Sequence, residues 1–460
     1  MAASSRTGPT PRRGYRLRVA RERDVSESGI VYLIWSDLTG LARCRGVSLA
    51  ELERKAEAGL GWACAGHALT PFEAIVPNVW GPVAEARQIP DLATRFEIPA
   101  SDGHPAVQGV LCDSKADVDR DWDCCVRTFL RRAIEDLRAE TGFELIATFE
   151  HEFVLQGQIV RRTPFSFAAV REVQPVLLAI EAALRAAGAP VETIEPEYGL
   201  GQYEISAPPA TALEAADRAV VTREVVREVA RRHGLAATFS PKTAPDAVGN
   251  GCHVHLSLRD RDGRNATQDD ADALGLSETA RHFCAGILAH LDALVAVTAP
   301  TPVSYQRLGP HHWSCGYRAI GVQNREAALR VCPGVSLDAE RRRRSFNVEY
   351  RPIDASSSPY LALGSLIRSG LDGIRQRLPL PEPVDGDPSE LPPEVAEAKG
   401  VTPLPTSLDA ALDALEADAA VRSWLSPTLL ATFAAIKRWE ARFAEMAPAD
   451  ELFRRYRETY

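Results

Sequence analysis

Three short stretches of this chain offer metal-binding side chains at the spacing of a β-strand. They are Glu150-His151-Glu152, Glu197 through Glu204, and Cys252-His253-Val254-His255. In a strand, residues i and i+2 point to the same face of the sheet. A fourth stretch, Asn347-Val348-Glu349-Tyr350-Arg351, places a carboxylate and a guanidinium on one face in the same way. The pattern predicts strands that present charged groups to one side of a sheet.

These strands would bring five carboxylates and one imidazole to one cavity. Such groups repel each other unless cations lie among them. Oxygen-rich sites with a single nitrogen ligand suit Mg²⁺ or Mn²⁺ better than zinc. The sequence therefore predicts metal-assisted group transfer on a phosphate-bearing substrate.

Length and charge narrow the class of protein. A chain of 460 residues exceeds the usual size of a single core, so we expect two domains. The net charge of −9 gives no basic excess, and we expect no nucleic-acid partner. The run Arg341-Arg342-Arg343-Arg344 is either a solvated loop or a clamp near nucleotide phosphates.

Cysteine usage and hydropathy indicate a cytoplasmic protein. The nine cysteines are odd in number and lack a CxxC pair, which fits reduced thiols. No apolar run reaches the ~18 residues that span a bilayer, so we expect no membrane association. The basic, Ser/Pro-rich N-terminus lacks the apolar segment of a secretory signal, and residues 1–25 are expected to form a disordered tail.

Periodicity predicts a hairpin, then a mixed succession of strands and helices. Residues 30–36 and 42–47 form the hairpin around Leu38-Thr39-Gly40, and Ser48 caps a helix over 49–59. A long amphipathic helix over 121–141 opens the second domain, and residues 380–405 form a surface loop. Further helices are expected near 171–188, 211–233, 277–298, 360–377, 407–416 and 427–445. Further strands are expected near 144–156, 202–207, 236–240, 253–258, 327–331 and 346–351.

Seven motifs that occur in a fixed order carry a family resemblance. Any single one of them would more often consist of solvated acidic residues or buried core histidines. They are Phe149-Glu150-His151-Glu152-Phe153, Glu197 to Glu204, Asn250-Gly251-Cys252-His253, Ser304-Tyr305-Gln306-Arg307, Asn324-Arg325, Val348-Glu349-Tyr350-Arg351 and Leu371-Asp372-Gly373-Ile374. The series resembles the type I glutamine synthetase family over residues 28–460. The resemblance implies an α+β fold: a small β-grasp-like N-terminal domain over 26–114, and a large catalytic domain over 115–460. In that domain an antiparallel sheet backed by helices forms the catalytic funnel.

The resemblance also implies roles for individual residues. One metal site would use Glu152, Glu197 and Glu204, and the other Glu150, His253 and Glu349, so that two or more ions of Mg²⁺ or Mn²⁺ bind per site. ATP would be the co-substrate and L-glutamate the substrate. The implied substrate contacts are Arg307, Arg351, Gly249 and Trp313. The implied nucleotide contacts are His255, Ser257, Arg325 and Arg330, of which Arg325 and Arg330 would contact the transferring phosphate. Surface salt bridges for the arginines, and a buried core position for His255, are the alternatives.

A third group of implied roles concerns assembly and catalysis. Asp37 would be lent to the active site of a neighbouring subunit and would act in catalysis with Arg307 and Arg325. The family forms stacked hexameric rings, so we expect a homo-oligomer, a dodecamer of two hexameric rings. Ring contacts are expected from the C-terminal helix with Phe453, Tyr456 and Tyr460.

The chain departs from the family at three places. Trp313, in Gly309-Pro310-His311-His312-Trp313-Ser314, falls where glutamine synthetases carry a flap glutamate that takes a proton from ammonium. An indole accepts no proton, although its face can hold an alkylammonium by cation–π attraction. Val248 falls near a substrate-binding asparagine of the family, which weakens the expectation of strict glutamate recognition. Ser389 replaces a regulatory tyrosine, so adenylylation is not expected there.

Three functions follow for testing. The first is an ATP-dependent γ-glutamyl–amine ligase acting on an organic amine, aromatic or alkyl, in a site lined by Trp313, Phe165 and Phe167. Polyamines could also bind, with Asp37 and Glu197 facing a cationic amine. The second is an ordinary glutamine synthetase in which His311 or His312 replaces the flap glutamate. The third is a catalytically silent structural assembly.

Overall fold

The computed structural model describes residues 29–312 and 314–460. The predicted N-terminal tail and Trp313 lie outside the described residues. Two sheets dominate the architecture, one formed by the first ninety or so described residues and one by most of the remainder.

The N-terminal sheet has seven strands and one helix packed beside it. The strands are β1 Ile30–Ser36, β2 Ala42–Ser48, β3 Leu60–Ala63, β4 Glu85–Pro90, β5 Phe96–Ile98, β6 Val107–Asp117 and β7 Arg120–Asp121, and the helix is α1 Leu52–Ala58. The order is β2-β1-β6-β4-β3, with β5 and β7 also paired to β6. β1 runs antiparallel to β2 but parallel to β6. The predicted hairpin is therefore confirmed.

The large sheet has ten strands among the described residues. They are β8 Glu144–Gln156, β9 Thr193–Pro196, β10 Gln202–Ser206, β11 Ala210–Thr211, β12 Ala236–Thr238, β13 Val254–Arg259, β14 Tyr317–Val322, β15 Ala327–Cys332, β16 Asn347–Tyr350 and β17 Thr402–Pro403. The order is β17-β14-β15-β16-β13-β8-β10-β9, and β11 and β12 both pair with β8. β8 alternates strictly between buried and half-buried side chains, so one of its faces packs on the core and the other lines a cleft.

Fourteen further helices accompany the two sheets among the described residues. They are α2 Val126–Thr141, α3 Phe167–Glu172, α4 Gln174–Ala186, α5 Ala212–Arg232, α6 Glu278–Ala289, α7 Leu291–Thr298, α8 Ser304–Arg307, α9 Ala339–Ser345, α10 Pro359–Gln376, α11 Pro393–Ala398, α12 Leu408–Ala417, α13 Ala419–Trp424, α14 Pro427–Met446 and α15 Ala449–Thr459. α6 and α10 cross closely enough that a Cβ on Gly286 would lie 2.1 Å from the Ser369 carbonyl oxygen. Only glycine permits that approach.

Several local predictions need correction. The large sheet is not wholly antiparallel, because β14 and β15 run parallel. Ser48 makes no capping hydrogen bond, and a 3₁₀ turn precedes α1. Residue 114 lies inside β6, whose pairing with β7 extends the sheet to Asp121, so we propose the domain boundary after Asp121. The segment 380–405 contains α11 and β17 as well as loop.

Two further expectations concerned exposed surfaces. The four arginines lie on α9, whose residues are all exposed, instead of on a loop. Phe453, Tyr456 and Tyr460 are buried against Phe72 and Val303 of the same chain, so they are not free to form ring contacts. No single helix in the described ranges is long and apolar enough to cross a membrane; α6 and α7 together pass that test of length and composition, but they are bent by 75° at their junction.

Candidate active site

One face of the large sheet collects the predicted acidic side chains. Glu150 and Glu152 lie on the half-buried face of β8, whereas His151 between them points into the core. Across the sheet, Glu152 stands opposite Glu204 of β10, and Glu204 stands opposite Glu195 of β9. Because directly opposed side chains in antiparallel strands are close neighbours, three carboxylates form a row.

A first cluster joins two carboxylates and one imidazole. Glu150, His253 and Glu349 offer ligand atoms that all lie within 4.8 Å of one another. His253 Nδ1 is 3.6 Å from Glu150 Oε2 and 3.6 Å from Glu349 Oε1. The structure thus brings together the three residues of one predicted metal site.

The second cluster differs from the prediction in one member. Glu195, Glu197 and Glu204 lie within 4.8 Å of one another, whereas Glu152 is not part of that set. Glu152 instead stands between the clusters, with Oε1 4.0 Å from His253 Nδ1. Sequence reasoning missed Glu195, although the alternation Glu195-Pro196-Glu197 carries the same i, i+2 signal as the other motifs.

Electrostatics indicate that both clusters favour cations. Burial, followed by the charge of Glu152, raises the pKa of Glu197 to about 7. Burial and the charges of Glu150 and Glu152 raise the pKa of Glu204 to about 10. Carboxylate oxygens with one imidazole nitrogen are the donors that Mg²⁺ and Mn²⁺ accept, so the residues present fit such ions. A divalent cation would replace the protons that these carboxyls otherwise hold.

Arg307 lies beside the first cluster with an unused donor. Its side chain is 4 % exposed, and its Nη1 has no hydrogen-bond partner among the described residues. Its Nη2 is 3.3 Å from His253 Nε2. A buried guanidinium nitrogen without a partner is costly unless a ligand supplies an acceptor. Arg307 therefore suits an anionic ligand.

The other predicted arginines divide into two groups. Arg330 Nη1 lies 2.8 Å from Glu349 Oε2, and Arg351 Nη1 pairs with the other oxygen of the same carboxylate. Burial opposes ionisation of Glu349, but the charges of His253 and Arg351 hold the pKa of this carboxyl below its ordinary value. Arg325 is exposed on the loop between β14 and β15, and its charge offsets a small part of the rise in the pKa of Glu197.

His255 faces the cleft and is not an isolated core histidine. Its Nδ1 lies 2.7 Å from Asn347 Oδ1, and its Nε2 lies 2.9 Å from Glu150 Oε1. Ser257 follows two residues later on the same half-buried face of β13. The structure therefore places both predicted nucleotide contacts on the same face as the clusters.

Two glycines keep this site compact. A Cβ on Gly251 would lie 2.8 Å from each of Arg307 Nη2, Glu152 Oε1 and His253 Nε2. A Cβ on Gly249 would lie 2.6 Å from Arg307 Cγ. The backbone of this loop therefore forms one wall of the site, and Gly249 lies directly on the stem of Arg307.

Asp37 is buried in the hairpin turn of the single chain. Its side chain is 2 % exposed. Its Oδ1 accepts hydrogen bonds from the backbone N–H and hydroxyl of Thr39 and from the Leu41 N–H, and its Oδ2 accepts from Arg43 Nε. Asp37 thus stabilises the hairpin turn within the single chain, and its role at the active site of a neighbouring subunit stays a prediction.

The flap region is partly described. His311 Nδ1 lies 3.2 Å from Asp387 Oδ2, and its side chain is otherwise exposed. Ser314 Oγ donates to the Arg307 carbonyl oxygen at 2.8 Å. The segment that carries His311 is therefore tied to Arg307 on one side and to Asp387 on the other.

Comparison with known proteins agrees with this geometry. Residues 123–456 match the model of the glutamine synthetase catalytic domain, and residues 15–120 match that of the glutamine synthetase N-terminal domain. The gamma-glutamylpolyamine synthetase GlnA3 of Streptomyces coelicolor is 36% identical over 94% of this chain and 93% of its own. The glutamine synthetase of Methanocaldococcus jannaschii is 32% identical over 76% of this chain and 78% of its own.

Solved structures give the same result. A novel glutamine synthase homolog superposes with a TM-score of 0.87 and 39% identity, covering 94% of this chain and 99% of that chain. A GmaS/ADP complex superposes with a TM-score of 0.79 and 27% identity, covering 93% of this chain and 96% of that chain.

Proposed function

This chain belongs to the glutamine synthetase family of ATP-dependent carbon–nitrogen ligases, and we propose that it joins the γ-carboxylate of L-glutamate to an organic amine. A carboxylate is a poor electrophile because oxide is a poor leaving group. Phosphoryl transfer from ATP would first convert it to γ-glutamyl phosphate, which the amine then attacks. When bound, Mg²⁺ or Mn²⁺ would neutralise the charge of the transferring phosphoryl group.

Exposed apolar side chains beside the Glu197 turn carry this proposal. Tyr198 is 61 % exposed, and Leu200 lies two residues further along the same turn, also exposed. An added Cβ on Gly201 would be 3.4 Å from Ile159 Cδ1, so the segment after β8 packs on this turn. Ammonium has no apolar surface to match such a wall, whereas an alkyl or aromatic amine does.

The segment after β8 adds two aromatic rings to this surface. Phe165 and Phe167 are 50 % and 78 % exposed. Ala169, two residues after Phe167, accepts a hydrogen bond from the hydroxyl of Tyr203, whose side chain lies on the core face of β10, so the contact ties the segment to that strand. Phe165 also has φ of 56°, a conformation that a bulky side chain rarely adopts. Strained residues of this kind cluster at ligand sites.

Four of the site's side chains would have defined tasks. Arg307 would bind a carboxylate of glutamate through its unpartnered Nη1. Arg325 would reach the transferring phosphate from its exposed loop. Arg330 would orient the Glu349 carboxylate in the first cluster. Trp313 stands at the sequence position of the family's flap glutamate, so the site would lack the carboxylate that accepts a proton from ammonium.

Polyamines are the second candidate substrates. Glu195, Glu197 and Glu204 provide several carboxylates next to the apolar wall, and a polyamine carries several ammonium groups. The GlnA3 relative, named for polyamines, supports the same choice. An ordinary glutamine synthetase is the alternative, but His311, tied to Asp387, is poorly placed to replace the flap base.

We also propose that the protein is a cytoplasmic homo-oligomer, a dodecamer of two hexameric rings. Ile75, Val79 and Val83 of the N-terminal domain are more than half exposed in the single chain. Apolar side chains grouped in this way mark interaction surfaces. Native mass spectrometry would test the subunit number, and a monomer would contradict the proposal.

A substrate panel tests the function directly. ADP release is measured with ATP, glutamate and, in turn, ammonium, an alkylamine, a polyamine and an aniline. We expect an organic amine to give a higher kcat/KM than ammonium. A preference for ammonium would identify an ordinary glutamine synthetase, and no turnover with any amine would identify a silent assembly.

A matched pair of variants tests the apolar wall. Phe167→Ala should raise KM for the preferred organic amine about fivefold, since partial burial of one ring contributes about 1 kcal/mol, and should leave KM for ATP unchanged. Val335→Ala, at an equally exposed apolar position outside the Glu197 turn, serves as the control. If both variants changed KM for the amine equally, Phe167 would not be part of an amine-binding surface.

A further inference from the structure

One buried amide joins Glu152, which stands between the two clusters, to the loop that lies on Arg307. Gln202, the first residue of β10, is 2 % exposed. Its Nε2 lies 3.2 Å from Glu152 Oε2, 2.8 Å from the Gly249 carbonyl oxygen and 2.9 Å from Asn250 Oδ1. No task has so far been given to this side chain.

Backbone groups at both ends fix the orientation of this amide. Gln202 Oε1 accepts from the Gly199 N–H at 2.8 Å, so Nε2 must face the three acceptors. Asn250 Nδ2 donates to the Ser240 carbonyl oxygen at 2.8 Å, so its Oδ1 must face Gln202. The direction of each hydrogen bond in the series from Gly199 through Gln202 and Asn250 to Ser240 is therefore set by a backbone group.

Two N–H bonds of Gln202 serve three acceptors. The contact with Glu152 is the longest, which indicates that this carboxylate shares a hydrogen with a neighbouring acceptor. A change in the charge or position of Glu152 would thus alter how firmly Gln202 holds the Gly249 peptide. Since Gly249 lies on the stem of Arg307 without room for a Cβ, a shift of that peptide reaches Arg307.

We propose that Gln202 is a positioning residue that couples cation binding at Glu152 to glutamate binding at Gly249 and Arg307. Gln202 itself would touch neither ligand. The inference rests on the metal-ligand role that the family resemblance implies for Glu152 and on the glutamate contact proposed for Arg307, and it is independent of the identity of the amine.

Mn²⁺ titration of the wild-type protein tests the coupling without turnover. Binding is followed by electron paramagnetic resonance of free Mn²⁺, with and without saturating glutamate and with no ATP or amine. Coupling between sites is reciprocal and typically amounts to about 5–150-fold in affinity. We expect glutamate to tighten Mn²⁺ binding at least about fivefold. A change below about twofold would overturn the proposal.

Two variants then assign the coupling to Gln202. Gln202→Met keeps the size of the side chain but removes the donors. Gln202→Glu keeps the acceptor for Gly199 but loses both donors and adds a charge. We expect the effect of glutamate on Mn²⁺ affinity to fall close to onefold in both, and Gln202→Met to weaken Mn²⁺ binding about 10–100-fold, as loss of a ligand's supporting partner does.

The control is another buried glutamine with a purely structural position. Gln88, 0 % exposed in the N-terminal sheet, accepts from Ser114 Oγ at 2.8 Å, and Gln88→Met should leave both Mn²⁺ affinity and coupling unchanged. If Gln202 only stabilised the fold, its variants would lower the thermal midpoint of the metal-free protein and keep the coupling. Wild-type coupling in either folded Gln202 variant would refute the proposal. Failure of the amine panel alone would leave this titration unaffected.

Discussion

Gly251→Ala should disable the active site without harming the fold. The new Cβ would lie 2.8 Å from Arg307 Nη2, Glu152 Oε1 and His253 Nε2. Ordinary contact begins at 3.4 Å, so each of the three atoms would have to retreat by about 0.6 Å, the difference between these distances. All three lie at the ends of side chains, so the backbone can stay in place while the functional groups move.

Gly251→Ala is expected to lower activity but to leave the stability of the fold unchanged or slightly higher. Displacements approaching 1 Å in a catalytic site can cost about 10²-fold in rate, and we expect a loss of about 10–100-fold in kcat/KM for glutamate. Gly251 does not have a positive φ, so alanine restricts the unfolded chain and contributes up to about 0.4–1 kcal/mol of stability. The thermal midpoint should therefore stay constant or rise.

The assay combines steady-state kinetics, Mn²⁺ titration and thermal unfolding. Gly386→Ala is the matched control, because a Cβ there meets nothing within 4 Å and its φ is not positive. It should leave kinetics and Mn²⁺ affinity at wild-type values. If Gly251→Ala binds Mn²⁺ and turns over like this control, the packing of Glu152, His253 and Arg307 around Gly251 is not what the structure indicates.

Three further changes test the charges. Because the pKa values of Glu197 and Glu204 are raised to about 7 and about 10, these two carboxyls bind more protons in the folded metal-free protein than in the unfolded chain above pH 4.5. The buried histidines His67 and His151, whose pKa values burial lowers to about 4 and about 3, have the opposite effect up to about pH 7. The thermal midpoint should therefore fall between about pH 7 and pH 9, and saturating Mg²⁺ should abolish the fall; a midpoint that rises over that range in metal-free buffer would contradict this sign. Lys437→Met should lower the free energy of unfolding by about 3–5 kcal/mol in urea denaturation, because it leaves Glu440 buried without its 2.7 Å partner; a loss below about 1 kcal/mol would mean that Glu440 is already neutral. Arg307→Lys should raise KM for glutamate at least about tenfold, since a lysine cannot form a bidentate pair with a carboxylate, and an unchanged KM would remove Arg307 from the substrate site.

Periodicity predicted the elements that carry the site. β8, β13 and β16 were found close to their expected bounds, because alternating patterns with one buried face leave little choice of register. The cluster of Glu150, His253 and Glu349 followed from that register. Glu195 was missed because its own strand, β9, has only four residues and ends in a proline, which masks the alternation.

Periodicity missed the elements that are not stabilised by a regular apolar face. The assignment of Asp37 to a neighbouring active site stays a prediction; within the chain its oxygens accept hydrogen bonds from residues two to six positions away in the turn. α9 shows no apolar periodicity, and Asp338 accepting from the backbone at its N-terminus supports the helix instead. β14 was not predicted as a strand, since its pairing with β15 is parallel and begins only after a sharp return of the chain.

The order of the strands separates two kinds of charge across the site. Along β15-β16-β13-β8-β10-β9, one end places Arg330 opposite Glu349 and Glu349 opposite His255. The other end places the carboxylates of β8, β10 and β9 side by side. Anionic phosphates are favoured at the arginine end, and a cationic amine at the acidic end.

This separation gives the proposed reaction a direction. The glutamate carboxylate, held by Arg307 between the two ends, would receive its phosphoryl group from the β15 side and meet the amine from the β9 side. The exposed rings of Phe165, Phe167 and Tyr198 stand at that acidic end and not at the arginine end. A larger amine therefore needs no change at the nucleotide side, so substitutions among these rings should alter the amine preference while leaving KM for ATP constant. Variants at Phe167 that change both constants together would show that the two ends are not independent.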